Sequence, residues 1–395
     1  MRETETLIVG GGISALSCGR QLHLAGANFS LVTDRIGGRI AGTGNPLWNL
    51  GASYVTNDYH QTLRFVGKRE RFKRRKIYFW DGTQYSRILD MASVSKWPQL
   101  LRLSGFLLDF RHRLMRLREN SLHSSQIEAL SLDETLTRYV SLPANEFIAS
   151  NNLEAINDLV GEPIVRSTAF LSVLDVNTFN YLEALLPIVV PTYVADVRNT
   201  VTELTDGWLQ RIGIATVETI QRLDDQLFNV ETSRETIRCK NLVMGVPPSV
   251  ALGIYSEWPS EDYSGVSEIA KTALLVRGVR KPEYHPEHTL FTPANDPTTV
   301  LFYNQAAIGD VLFTDSESVD ISRYYQEFRV IEAVRWNPAI IMAKNQWRPL
   351  QPLPNVYAVG DRNMCGLEDS FLTGIHAANQ IVQPRERFDV SLPMK

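Results

Sequence analysis

Apolar residues fall along this chain in short blocks separated by glycines and polar turns, and the spacing within each block predicts its element. Leu7-Ile8-Val9 is a continuous apolar run, the pattern of a strand buried on both faces. Gly10-Gly11-Gly12-Ile13-Ser14-Ala15 follows. From Ile13 to Ala25 a helix is expected, with Leu16, Arg20 and Leu24 at helical spacing and Gly26 ending it. Phe29-Ser30-Leu31-Val32 then predicts a second strand, so the first forty residues read as a βαβ unit. Ile77 to Tyr85 reads as a hairpin about Asp81-Gly82. Between 90 and 160 the chain reads as helical. Leu100, Leu101, Leu107, Leu108, Leu114 and Leu117 recur at helix-like spacing, and Ser131-Leu132-Asp133-Glu134 predicts a capping box. Thr272 to Val276 and Thr299 to Tyr303 predict strands of a second sheet within 265–335. Tyr181 to Tyr193 is apolar and broken by Pro187 and Pro191, which suits either the wall of a hydrophobic channel or a core-packing crossover.

Composition narrows the class. The chain has 395 residues, 44% hydrophobic and 21% charged, which excludes a disordered chain, a fibre and a small disulfide scaffold. Cys18, Cys239 and Cys365 are too scattered for a zinc site or a redox pair, and suit a reducing compartment. Seven histidines lack metal-ligand spacing, so no metal is assigned. The N-terminus has no signal-peptide shape. The best candidate for a membrane span, Leu100 to Leu117, carries Arg102, Asp109, Arg111, Arg113 and Arg116, so the cytoplasm is the expected location. The net charge of −4 conceals a polarised layout: residues 64–118 hold 15 Lys+Arg against 4 Asp+Glu. That block predicts a solvated face, or a dock for an anionic membrane surface or an acidic partner. No reading motif accompanies it, so nucleic acid is not expected.

The chemistry begins at the first turn, which reads G-x-G-x-x-A between a strand and a helix. Gly10 permits the tight turn and Gly12 lets the backbone approach a pyrophosphate. Ala15 allows close helix–strand packing, and the helix start at Ile13 and Ser14 faces the phosphates. A ribose hydroxyl calls for an acid at the end of the second strand; Asp34 is the candidate, with Thr33 its substitute if the strand ends earlier.

Asp34-Arg35-Ile36-Gly37-Gly38-Arg39 places G-G-R directly after that strand, and this resembles the flavin-dependent amine oxidase superfamily. The superfamily includes monoamine and polyamine oxidases, protoporphyrinogen oxidase and phytoene desaturase. Further segments resemble it in order. They are Trp48-Asn49-Leu50-Gly51-Ala52-Ser53 near the flavin ring, Val217 as a backbone contact to adenine, and Leu242 to Pro248 as the strand and proline turn returning from the FAD lobe. Gly360-Asp361 then marks the ribityl and phosphate region, and the stretch from Glu368 to Ala378 the closing helix facing the flavin pyrimidine. The resemblance implies that Gly37, Gly38, Arg39, Gly51, Ala52, Ser53, Val217, Gly360, Asp361, Leu367, Glu368 and Ser370 contact FAD. It departs from the family by lacking the usual Glu before G-G-R and by carrying Asn49 in place of Asp.

The implied fold is α/β: a Rossmann-like FAD-binding domain of the glutathione-reductase type (1–75, 200–260 and 345–395). It is interleaved with a mixed-sheet and helical α+β substrate domain (76–199 and 261–344, helical at about 90–160). Lys271 matches a lysine that holds a water beside flavin N5 in amine oxidases, and is the catalytic candidate. The aromatic cage of monoamine-type enzymes is missing. Gly366 stands at one of its positions, and Trp336 and Trp347 read as core residues. Cys365 does not match the family's covalent flavin cysteine, so FAD is expected to be non-covalent. Three functions compete: oxidation of a C–N bond in a small amine or amino-acid-like substrate, desaturation or isomerisation of a lipophilic one, and flavin binding without turnover.

Overall fold

The computed structural model describes residues 1–40, 50–52, 54–80, 82–88, 90, 95–195, 197, 199–224, 226–304, 309–316 and 319–382. In chain order the principal elements are β1 (Thr6–Val9), α1 (Ile13–Leu24), β2 (Phe29–Thr33), β3 (Ile77–Trp80), α2 (Trp97–Asn120), α3 (Thr178–Leu185), β4 (Ile212–Ile214), β5 (Asn241–Met244), β6 (Val266–Arg280), β7 (Thr298–Asn304), β8 (Gly309–Thr314), β9 (Tyr325–Ala343), β10 (Val356–Ala358) and α4 (Leu367–Ile381).

Five strands from distant parts of the chain build one parallel sheet in the order β10–β5–β1–β2–β4. Leu7, Ile8 and Val9 are 0%, 0% and 2% exposed, as expected of a strand covered on both faces. The chain runs from β1 to β2 on one side and returns to β5 and β10 on the other. The carboxyl end of β1 is therefore a switch point, where open α/β sheets bind ligands. A second, seven-stranded mixed sheet has the order β9–β6–β8–β7–(Thr289–Phe291)–β3–(Tyr85–Ser86). Its side chains alternate between faces. Ala273, Leu275, Val300, Phe302, Val311 and Trp336 pack on the face that meets Leu50, while Leu274, Val276, Leu301 and Leu312 pack on the other.

The helical region closes a third core. Leu103, Leu107, Phe110, Leu114 and Leu117 line the buried stripe of α2, whereas Leu101 and Leu108 face solvent at 71% and 54% exposed. Leucine spacing alone did not separate the two faces. The capping box forms one helix earlier than expected. Ser125 and Glu128 make it, Ser131 ends that helix, and Asp133 caps the next through the amides of Thr135 and Leu136. The Tyr181–Tyr193 stretch is mostly core: Tyr181, Leu182, Leu185, Leu186 and Val190 are buried in the helical cluster. Phe79 and Trp80 pair with Ser86 and Tyr85 to make the hairpin; Gly82 has φ +106°, and Asp81 lies outside the described residues.

Much of the basic block folds inward. Arg118 is buried, Arg111 is held by Asp58 and Arg113 by Asp109 and Asp133. Arg74 donates to the carbonyls of Pro187 and Val190. Lys68, Arg69, Arg71, Lys73 and Arg75 remain exposed. No helix among the described residues is long and apolar enough to cross a membrane.

Helices α1 and α4 cross in near contact. Ser17 Oγ lies 2.9 Å from the carbonyls of both Ser14 and Phe371. A Cβ on Gly374 would fall 2.1 Å from Ser14 O and 2.1 Å from Ser17 Oγ. Alanine normally stabilises a helix interior relative to glycine. Here the clash reverses the sign, and Gly374→Ala should cost about 3 kcal/mol in chemical denaturation. A neutral or stabilising result would disprove the close crossing.

Candidate active site

The glycine turn at the end of β1 has the geometry its sequence requires. Gly10 has φ +106°, and a Cβ there would sit 2.4 Å from Gly245 O. Gly12 caps α1 with extended backbone and no side-chain hydrogen bond, and a Cβ built on it meets nothing within 4 Å. The amides of Ile13, Ser14 and Ala15 are the free donors of the first helical turn. Ala15 packs where β5 ends: a Cβ on Gly245 would lie 3.0 Å from Ala15 Cβ.

The G-G-R segment folds back onto this turn. Gly37 N donates to Gly11 O at 2.7 Å, and a Cβ on Gly38 would lie 3.0 Å from Gly12 Cα. At the end of β2 the Thr33 hydroxyl is taken by Arg35, donating to its carbonyl at 2.9 Å. Thr33 is 4% exposed, whereas Asp34, the next residue, is exposed. The strand ends at Thr33, so Asp34 is the first residue beyond it. Val217 lies just beyond β4, two residues after the Ala215 amide that donates to Thr33 O at 2.9 Å.

Arg39 reaches Asp361, 322 residues away in the sequence. Two parallel hydrogen bonds of 2.6 and 2.7 Å join them, and Arg39 also donates to Ala339 O at 2.9 Å. Asp361 raises the Arg39 guanidinium above its ordinary range, against burial. Asp361 further accepts from Ile341 N. Gly360 has φ +129° and donates to Thr373 of α4 at 2.9 Å. Ala52 N donates to Arg39 O at 3.1 Å, which places Gly51 and Ala52 along the same wall; Ser53, Trp48 and Asn49 lie outside the described residues.

At the head of α4, Gly366 is the N-cap and Leu367 the first helical residue. Ser370 N donates back to Gly366 O at 3.0 Å. Glu368 is 2% exposed. Its carboxylate accepts from Gln61 N at 2.7 Å and Thr62 N at 2.8 Å, so it ties α4 to the segment after residue 60, and burial raises its carboxyl.

Beside these residues stands a buried polar cluster that spacing did not reveal. Arg118 of α2 grips Asp369 of α4 through two hydrogen bonds of 2.8 and 2.6 Å. Glu183 of α3 lies 3.6 Å from the same guanidinium, and the Cys365 thiol donates to Glu183 at 3.7 Å. Arg118 also sits 5.3 Å from the ring centre of Tyr59. Burial, with the negative charge of Asp369, pushes the Glu183 carboxyl up to about 8. A side chain at Gly366 has no room, since a Cβ would fall 2.4 Å from Asp369 Oδ2 and 3.1 Å from Tyr59 Oη. The phenol of Tyr59 and the carboxylate of Asp369 fill the space in front of Gly366.

Lys271 lies in β6 directly opposite Trp336 of β9, so the two share a face. It is 1% exposed, ion-paired with Asp315, and 5.0 Å above the centre of Phe170, a residue held at φ +59°. Burial lowers the Lys271 ammonium and Asp315 opposes that shift. Trp336 donates its indole N–H to Leu50 O at 2.9 Å, joining this face to the wall that carries Gly51 and Ala52. Tyr54, Phe72 and Phe302 form an aromatic wall with ring centres 5.5–6.0 Å apart. Tyr54 is 37% exposed, yet burial pushes its phenol well up. Cys365 behaves in the same way: it is partly exposed, with a thiol raised well up by burial.

The donor set fits a bound dinucleotide: free amides over open space at Gly12, an exposed acid after β2, and a fixed arginine–aspartate pair at the adjoining wall.

No family model matches the sequence, and no curated protein matches it either. Solved structures do match in fold. A cofactor-binding double mutant of putrescine oxidase is 14% identical, with a TM-score of 0.70 over 96% of this chain and 99% of that one. A CLA-producing fatty acid isomerase from P. acnes is 16% identical, with a TM-score of 0.67 over 95% and 98%. Cyclohexylamine oxidase from Brevibacterium oxydans is 12% identical, with a TM-score of 0.64 over 95% and 97%. Along nearly its whole length, then, this chain shares its fold with these two oxidases and this isomerase.

Proposed function

We propose that the protein is an FAD-dependent oxidoreductase that holds FAD non-covalently and oxidises a C–N bond of an amine or amino-acid-like small molecule. What supports this reading is that the open cradle at Gly12 adjoins the G-G-R segment, whose Arg39 pairs with Asp361 and also reaches Ala339 on β9, the strand paired with that of Lys271. FAD supplies the hydride acceptor, and its electrons leave to oxygen or another acceptor. The chain's own residues bind and orient. First-turn amides of α1 receive the pyrophosphate, Asp34 receives a ribose hydroxyl, and Arg39 adds a positive charge beside Asp361. Lys271 is desolvated, which brings its Nζ closer to releasing a proton, while Asp315 keeps it oriented. Tyr54, Phe72 and Phe302 exclude water from the cavity.

The purified protein should show an oxidised-flavin spectrum that bleaches on anaerobic titration with a member of an amine panel. A protein that takes up no FAD would remove the reading. Lys271→Met should slow flavin reduction or reoxidation by about 10²-fold; unchanged rates in both half-reactions would rule out its role.

A second reading, desaturation or isomerisation of a lipophilic substrate, is favoured by the aromatic wall and by the absence of room for a ring at Gly366. Bleaching by polyenes and not by amines would select it.

A further inference from the structure

One edge of the seven-stranded sheet ends in a two-stranded ribbon. Among the described residues β8 pairs with β6 only as far as Val276, and beyond it residues 277–280 of β6 pair with β9 alone. β9 is the last strand of the sheet on that side, and its residues 326–330 are exposed one after another. A strand covered on one face alternates between buried and exposed positions, so an unbroken exposed run marks a strand open on both faces. Among the described residues, no backbone hydrogen bond reaches 326–330 from outside the pairing of β6 with β9. The outward N–H and C=O groups of such an edge are a template for another strand. Phe328 and Val330 on it are 42% and 39% exposed, with Val279 at 55% across the ribbon. The base of the ribbon is fixed. Arg280 donates to Asp310 at 2.9 and 2.6 Å, and Tyr325 donates to the same carboxylate. A strand already held in place loses little freedom on pairing.

The charges along that edge select the strand that fits it. Glu327 and Arg329 stand two positions apart and so share a face, and neither forms an ion pair among the described residues. Arg329 also stands opposite Arg277 across the ribbon, which concentrates positive charge there. We propose that β9 pairs antiparallel with β9 of a second copy of this chain, about a two-fold axis at Phe328, joining two seven-stranded sheets into one. At this register Glu327 faces Arg329 of the partner subunit, and Arg329 faces the partner's Glu327. The two Phe328 side chains meet on the opposite face, where Val330 lies across from Gln326 of the partner subunit. A slip of two residues keeps the faces but sets Glu327 against the partner's Glu327 in one direction, and Arg329 against the partner's Arg329 in the other. Charge thus favours the single register in which each acid meets a base.

Sedimentation velocity of the purified full chain over a range of concentrations tests the pairing. The seam is short, so a dimer half formed on the order of 10 µM is expected. Glu327→Arg and Arg329→Glu each set like charges across the axis, and each should raise that midpoint about tenfold or more. Mixed in equal amounts, the two variants oppose only unlike charges and should dimerise near the wild-type midpoint. A chain carrying both substitutions should do the same. A wild type that stays monomeric up to about 100 µM overturns the proposal. So do single variants that dimerise as well as the wild type, or a mixture that recovers nothing. Should a variant fail to fold, backbone amide exchange of the wild type decides. Amides within 326–330 that exchange more slowly as concentration rises support the seam; exchange that does not change with concentration overturns it. None of these readouts depends on bound flavin.

Discussion

Replacing Arg118 by methionine should lower the free energy of unfolding by about 3–5 kcal/mol. The side-chain volume is nearly kept, so the loss isolates charge. Asp369 is 0% exposed and has both oxygens on Arg118, and without the guanidinium its carboxylate is buried with no cation. The cost is the desolvation of an unpaired ion, not the modest energy of an exposed pair. Adding Asp369→Asn to the same chain should restore most of the loss, because the second substitution removes the stranded charge. Glu183 needs no cation while it keeps its proton, which burial and Asp369 favour up to about pH 8. Urea unfolding at unchanged slope measures both variants. A loss under about 1 kcal/mol for Arg118→Met would mean the cluster is solvated, and the electrostatic account of the helix head would fall.

Gly12→Val should leave a folded protein that has lost FAD altogether. The backbone at Gly12 is extended (φ −71°, ψ 174°), a conformation valine adopts, and a Cβ meets nothing within 4 Å. The free protein should lose no more than about 1 kcal/mol, from poorer capping of α1. The same open space is where a pyrophosphate must approach the first-turn amides, and a branched side chain fills it. Flavin content after purification and the melting transition of the flavin-free protein are the two measurements. Stoichiometric FAD in Gly12→Val would remove the proposed cradle. Gly10 makes the contrast: its φ of +106° and the 2.4 Å approach to Gly245 O mean that a side chain there strains the fold itself.

The parts of the molecule legible in the sequence are those fixed by local chemistry. A continuous apolar run marked β1, and it is buried on both faces. The glycines at 10, 37 and 38 occupy backbone conformations that other residues resist. The long helical pattern was legible as a helix, but not its buried face, because the leucines at 101 and 108 are indistinguishable by type from those at 107 and 114. The cap near residue 131 was misplaced because Ser131 ends one helix, while Asp133, two residues on, is the N-cap of the next. The usable pair is Ser125 with Glu128, three residues apart on a helix that starts there.

The sequence by itself determined the glycine turn, the G-G-R segment and the order of the motifs, because φ preferences, helix starts and strand periodicity depend on neighbours a few residues away. Tertiary structure alone decided how the charges are used. Arg118 and Asp369 are separated by 251 residues, Lys271 and Asp315 by 44, and Glu183 and Cys365 by 182. Whether an acid is ionised, a lysine poised to give up a proton, or a basic block free for a partner depends on desolvation and on the charges within a few ångströms. Those distances exist only after the α2, α3 and α4 helices and the seven-stranded sheet have closed around them.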